Sequence, residues 1–180
     1  MTDVLSVGID PERPFLEELT RKTGESSHIA IYSNGRSLLI DKEDSSEVIF
    51  VNMDVGRSEP LNCTALGKAL LLQMNRKKTG DLLAGKMERY TKNTITGIKE
   101  FLNELEKVRQ KGYAFDNEEY RGGVRCAASP IYDNKGKIVA AIGVSGPVSR
   151  ISSGKLEGFG LMVKSAAGRL SAKLGYKCSR

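Results

Sequence analysis

With 180 residues, 28% of them charged and 39% apolar, the chain is long enough to bury a real core as one compact domain of ordinary globular composition. No apolar run approaches a membrane span, and the opening MTDVLSVGIDPERP lacks the basic-then-apolar pattern of a secretory leader, so the chain is expected to stay in the cytoplasm, off the membrane. The net charge of +6 invites a nucleic-acid reading, but the cations (Arg21-Lys22, Arg76-Lys77-Lys78, Lys107, Arg109 and Lys111) are spread out, alternate with acids, and read as solvated helix surface.

In chain order, Asp10-Pro11-Glu12 is a helix start, Phe15, Leu16 and Leu19 recur at helical spacing, and Gly24 closes the helix. His28 to Ser33 alternates as a strand, Asn34-Gly35 is a strong hairpin signal, and Arg36 to Asp41 returns. Glu47 to Met53, with Val48, Phe50 and Val51 apolar, reads as a third strand. Pro60 holds an irregular stretch, and Thr64 is placed to cap a buried helix from Ala65 to about Met74. A more polar helix follows over Lys77 to Arg89. Ile98, Phe101, Leu102, Leu105 and Val108 form the stripe of an amphipathic helix that Gly112 ends.

Gly112 to Pro147 then reads as three strands, the last two joined through the turn Asp133-Asn134-Lys135-Gly136 as an antiparallel hairpin. A final helix is predicted from about Lys155 to Leu174, with Phe159, Met162, Val163, Ala166 and Leu170 on one face. Helix, three strands, three helices, three strands, helix: this order predicts an α+β domain, an antiparallel central sheet with helices packed on it.

Few residues offer chemistry. Three cysteines (Cys63, Cys126, Cys178) without CxxC spacing argue against a disulfide framework and fit a reducing compartment; with a single histidine, His28, no metal site and no cofactor are expected. His28 reads as a satisfied strand residue, or else as one that reads pH or binds a ligand. Cys126 is a small buried side chain, or a nucleophile whose base is not visible, the histidine being almost a hundred residues away. The small first turn Ala65-Leu66-Gly67 either permits close packing or leaves helix N–H groups open to an anion. Asp116 is a turn former at a strand end. Gly143 and Ser145 share a sheet face by their period-2 spacing. Arg125 points to the face opposite Val124 and Cys126 and reads as surface or interface.

The runs LTRKTGESSHIAIY, GRSEPLNCTALGKALL, YTKNTIT, GYAFDNEE, GGVRCAASPIYD and GKIVAAIGVSGP, in that order from about Phe15 to Ile151, resemble the effector-binding domain of IclR-type transcriptional regulators. The resemblance implies a GAF- or PAS-like fold over residues 11–175, with 1–10 a linker or its remnant, and a ligand cavity between the sheet and the helix after Thr64. It implies that Ala65, Leu66, Asp116, Val124, Cys126, Gly143 and Ser145 face a small organic acid, with Asp116 accepting a hydrogen bond from a ligand hydroxyl. Val51 and Met53 are candidate walls.

Two positions depart from relatives: Gly143, where some carry serine, enlarges the cavity, and Glu59, where an apolar residue is usual, makes it more polar or tilts outward. The resemblance implies no enzyme activity, a homodimer or tetramer, and DNA contact only through a winged helix-turn-helix absent from this chain, which reads as an excised domain or a regulator without its reader. Two rivals stand beside it: a small enzyme using Cys126 with Asp116, and direct nucleic-acid binding by the basic surface.

Overall fold

The computed structural model describes residues 11–177, so Asp10, Cys178 and the linker expected at 1–10 lie outside the described residues. Helix α1 (Arg13–Thr23) buries Phe15, Leu16 and Leu19 and ends at Gly24, whose left-handed backbone turns its N–H onto the Thr20 carbonyl. Strand β1 (Ser26–Ser33) turns at Asn34 and Gly35, both at positive φ as a two-residue hairpin requires, into β2 (Arg36–Glu43). The third strand is not where the apolar pattern put it. Residues 47–53 are irregular, with Val48 and Ile49 exposed, and β3 is only Ser58–Glu59, paired with Ser37 and Leu38.

Three helices follow. α2 (Ala65–Leu71) and α3 (Arg76–Leu83) are shorter than predicted, whereas α4 (Ile98–Lys111) runs to Gly112 as its stripe requires. Strands β4 (Ala114–Asn117), β5 (Val124–Tyr132) and β6 (Ile138–Pro147) form the expected meander, and α5 (Ser153–Lys173) closes the fold; Met162, expected on its buried face, is exposed. All six strands lie in one antiparallel sheet in the order β3-β2-β1-β6-β5-β4.

Strand alternation divides the sheet into two faces. Ile29, Ala127, Ile131, Ile142 and Val144 pack against α1 and α5 with Phe15, Leu16, Phe159, Val163 and Leu170. Ala30, Ala128 and Ala141, on the other face, meet Ala65, Leu66, Ala69 and Leu70 of α2. Three alanines let α2 lie close to the sheet. Phe101 and Leu105 of α4 cover the far side of α2 through Leu61, Leu71 and Leu83.

Candidate functional site

On the α2 face, near one end of the central strands, the alanines give way to polar side chains. Asp116 of β4 lies opposite Cys126 of β5, and Cys126 opposite Ser145 of β6. His28 of β1 pairs with Gly143, two positions from Ser145 and therefore on its face. Thr64, Ala65 and Leu66 at the start of α2 stand over this row, with Val51, Met53 and Glu59 from the connection before it and Tyr120, Arg121 and Val124 beyond β4. Together they line a cavity of about 20 Å3, which is room for roughly one water.

Of the seven residues expected to face a ligand, Ala65, Leu66, Asp116, Val124, Cys126 and Ser145 line this cavity, as do the three less direct ones, Val51, Met53 and Glu59. Gly143 does not. A Cβ there would sit 2.7 Å from the Ala127 carbonyl oxygen and 3.1 Å from the Ala128 Cβ, so its missing side chain admits the neighbouring strand and does not enlarge the cavity. Gly67 is likewise a packing glycine, since a Cβ would come within 2.5 Å of the Leu61 Cα. The α2 start is also less open than a bare helix end: the Thr64 hydroxyl accepts from the Gly67 amide at 3.1 Å and donates to the Pro60 carbonyl at 2.6 Å.

The polar row is hydrogen-bonded along its length. The Cys126 thiol is 3.9 Å from Asp116 Oδ2, the Ser145 hydroxyl donates to Cys126 Sγ at 3.0 Å, and Ser145 Oγ is 3.1 Å from His28 Nε2. Asp116 Oδ1 is occupied by its own chain, accepting from the Glu119 amide at 2.7 Å and the Tyr120 amide at 3.4 Å. Two buried atoms of the lining residues have no hydrogen-bond partner: His28 Nδ1 and Glu59 Oε1. Arg57 and Arg121 each approach that Glu59 oxygen to 3.7 Å, close enough for attraction and too far for a hydrogen bond. Glu59 is buried and turned inward, so it makes the cavity more polar.

Burial dominates the charge states. It raises Asp116 to about 7, against the amides of Glu119 and Tyr120 and the charge of Lys68, which favour the carboxylate. Glu59 is raised by the same cause, with Arg121 opposing. The Cys126 thiol is pushed well up, so it is a thiol at neutral pH and no thiolate nucleophile. His28 is lowered to about 3 and stands uncharged. The fold thus brings to Cys126 and Ser145 the histidine that looked too distant in sequence, but in a state that neither reads physiological pH nor carries a positive charge.

One participant escapes a sequence reading. Lys68 of α2 is fully buried; its Nζ donates to Glu119 Oε1 at 2.7 Å and the Phe115 carbonyl at 2.9 Å, with Glu104 at 3.9 Å. It ties α2 to the turn whose Glu119 amide holds Asp116. The one sequence signal is a lysine inside the apolar run ALGKALL; its partner lies 51 positions on. Arg125, read as surface, is half-buried and bonds Asn117 Oδ1 at 2.7 Å and the Ile151 carbonyl at 2.6 Å, joining β5 to the approach of α5. A wider open groove of about 710 Å3 beside α3, lined by Leu83, Lys86, Met87 and Ile98 among others, holds no such set of convergent buried polar groups.

Residues 8–172 match the family described as "Bacterial transcriptional regulator IclR C-terminal". The chain is 36% identical over 162 residues to the HTH-type transcriptional regulator KdgR of Escherichia coli, covering 89% of this chain and 62% of that protein. To the HTH-type transcriptional repressor AllR of Salmonella typhi it is 34% identical over 176 residues, covering 97% and 63%. The chain therefore spans less than two thirds of the length of these relatives, which are transcriptional regulators. Among solved structures, the C-terminal domain of E. coli KdgR superposes with a TM-score of 0.81 at 35% identity, over 93% of this chain and all of that one. IclR of Thermotoga maritima superposes with a TM-score of 0.86 at 33% identity, over 93% of this chain and 68% of that one.

Proposed function

Because the chain belongs to the IclR family of bacterial transcriptional regulators, as its C-terminal effector-binding domain, we propose that the cavity between α2 and the sheet binds a small organic acid or related catabolite. Binding there biases the arrangement of subunits in a dimer or tetramer, and so the affinity of an attached winged helix-turn-helix for DNA. The regulator then acts in the cytoplasm. Such control requires that the effector bind two quaternary states unequally.

The observation that carries this reading is convergence. Residues from β1, β4, β5, β6, the α2 start and the β2–β3 connection line one cavity, although they are spread from His28 to Ser145 in the chain. The chemistry there suits holding over reacting: an uncharged imidazole, a protonated thiol and a carboxyl near half-ionisation at neutral pH donate and accept hydrogen bonds, and none is poised to attack. With Asp116 protonated, or facing a ligand hydroxyl, the repulsion between its carboxylate and an acidic ligand is removed.

The test is thermal. Small carboxylic and sugar acids at a hundredfold excess over Kd are expected to raise the Tm of the domain by roughly 5–10 °C. Leu66→Trp, which fills the cavity, abolishes that rise while the variant still unfolds cooperatively. A wild-type Tm indifferent to the whole panel, or a response that survives the tryptophan, defeats the proposal.

A further inference from the structure

His28 is 2% exposed, lines the cavity, and keeps one ring nitrogen without a partner. Which nitrogen carries the proton follows from the far end of the row. An ionised Asp116 can only accept, and Oδ1 already holds two backbone amides, so Oδ2 takes the Cys126 S–H. The Cys126 sulfur then accepts the Ser145 O–H, and the Ser145 oxygen, its proton committed, accepts from His28 Nε2. With Asp116 ionised the proton therefore sits on Nε2, and the buried Nδ1 is left as an acceptor without a donor. Glu59 Oε1, on the same wall, also lacks a hydrogen bond, but the guanidiniums of Arg57 and Arg121 stand 3.7 Å from it. Buried acceptors without donors are costly, and a ligand that supplies the donor recovers that cost.

We propose that His28 is a specificity-determining contact of the effector cavity, its Nδ1 accepting a hydrogen bond from a ligand hydroxyl, so that the site selects hydroxylated acids over their deoxy counterparts. This rests on the effector-binding reading of the same cavity. A carboxylate oxygen facing Nδ1 would meet a lone pair, so the acid group of the ligand lies elsewhere, toward Arg121, the guanidinium on the lining. An analogue lacking the hydroxyl leaves Nδ1 unpartnered as before, which is the usual basis of strong discrimination by a hydrogen-bonding site.

The chain holds one histidine, so its imidazole nitrogens give a single pair of 15N resonances that need no assignment by mutation. In the free protein at pH 8.5, with Asp116 ionised, the Nε2–H tautomer is expected; an Nδ1–H tautomer overturns the proposal whatever binds. Glycerate, in excess, is expected to move the Nδ1 resonance and raise the Tm, and propionate, which replaces both hydroxyls by hydrogen, to leave the resonance in place. His28→Gln keeps a donor for Ser145 and removes the second nitrogen. It is expected to weaken glycerate binding about tenfold, the worth of one hydrogen bond, and so to narrow the preference for glycerate over propionate. Equal stabilisation by the two acids with an unmoved Nδ1 overturns the role of His28 and leaves the effector site standing. No stabilisation by any acid removes the effector site, and the histidine contact with it.

Discussion

The two faces of this one sheet are filled in opposite ways. Between the sheet and α1 and α5 lie Ile29, Ile142 and Val144 of the strands with Leu16, Val163 and Leu170 of the helices, aliphatic and almost wholly buried. Against α2 lie Ala30, Ala128 and Ala141, and toward one end His28, Asp116, Cys126 and Ser145. The same strand serves both: on β6, Ile142 and Val144 point one way and Ser145 the other. Large side chains hold the fold together and leave nothing for a ligand to touch. Small ones bring a helix close and leave polar groups that the protein itself does not fully satisfy. Bulky aliphatic packing and a row of polar side chains are thus separated by the alternation of a strand, with no division between domains.

That separation can be broken residue by residue. The largest effect is expected at Lys68, the charged anchor of the α2 face. Lys68→Ala leaves the Glu119 carboxyl buried without its cation and should cost about 3–5 kcal/mol in urea unfolding; a loss below that of an aliphatic truncation would mean that the ion pair does not hold this face. On the opposite face, Leu16→Ala should cost about 3 kcal/mol and leave the thermal response to acids unchanged.

Asp116→Asn sharpens the contrast through pH. The folded carboxyl titrates near 7, above its usual 3.8, so between those values the folded state holds a proton that the unfolded state has released, and wild-type stability falls as pH rises. The asparagine variant lacks this slope. Its stability relative to wild type should climb by about 3 kcal/mol from pH 4.5 to pH 8, and parallel profiles would show that Asp116 titrates normally. The smallest change is Cys126→Ala, which should alter stability by about 1 kcal/mol or less while weakening effector binding, because it cuts the link between Ser145 and Asp116.

Much of this was legible in the residues. The stripe of α4, the Asn34-Gly35 turn and the β5–β6 hairpin follow from periodicity and turn chemistry alone, because in each the local preference and the global fold agree. The third strand was misplaced because Val48, Ile49 and Phe50 are apolar yet lie on a connection outside the sheet, where tertiary context overrides β propensity. Most of the cavity residues came from likeness to a family, since no spacing in the chain announces that Leu66 and Ser145 will meet. Lys68 and the bond from His28 to Ser145 were invisible for a plain reason: their partners lie 51 and 117 positions away, and burial, which decides their charge states, is a property of the folded chain.

The tightness of the chamber bears on how sensitive the proposed sensor can be. At about 20 Å3 it has room for roughly one water, so an organic acid needs a more open form of the domain, and the apparent Kd is the intrinsic one divided by the fraction of molecules already open. The threshold concentration of the proposed sensor is then set partly by the free energy of opening, apart from the contacts that recognise the ligand. A substitution that favours the open form would retune the detector to lower metabolite levels.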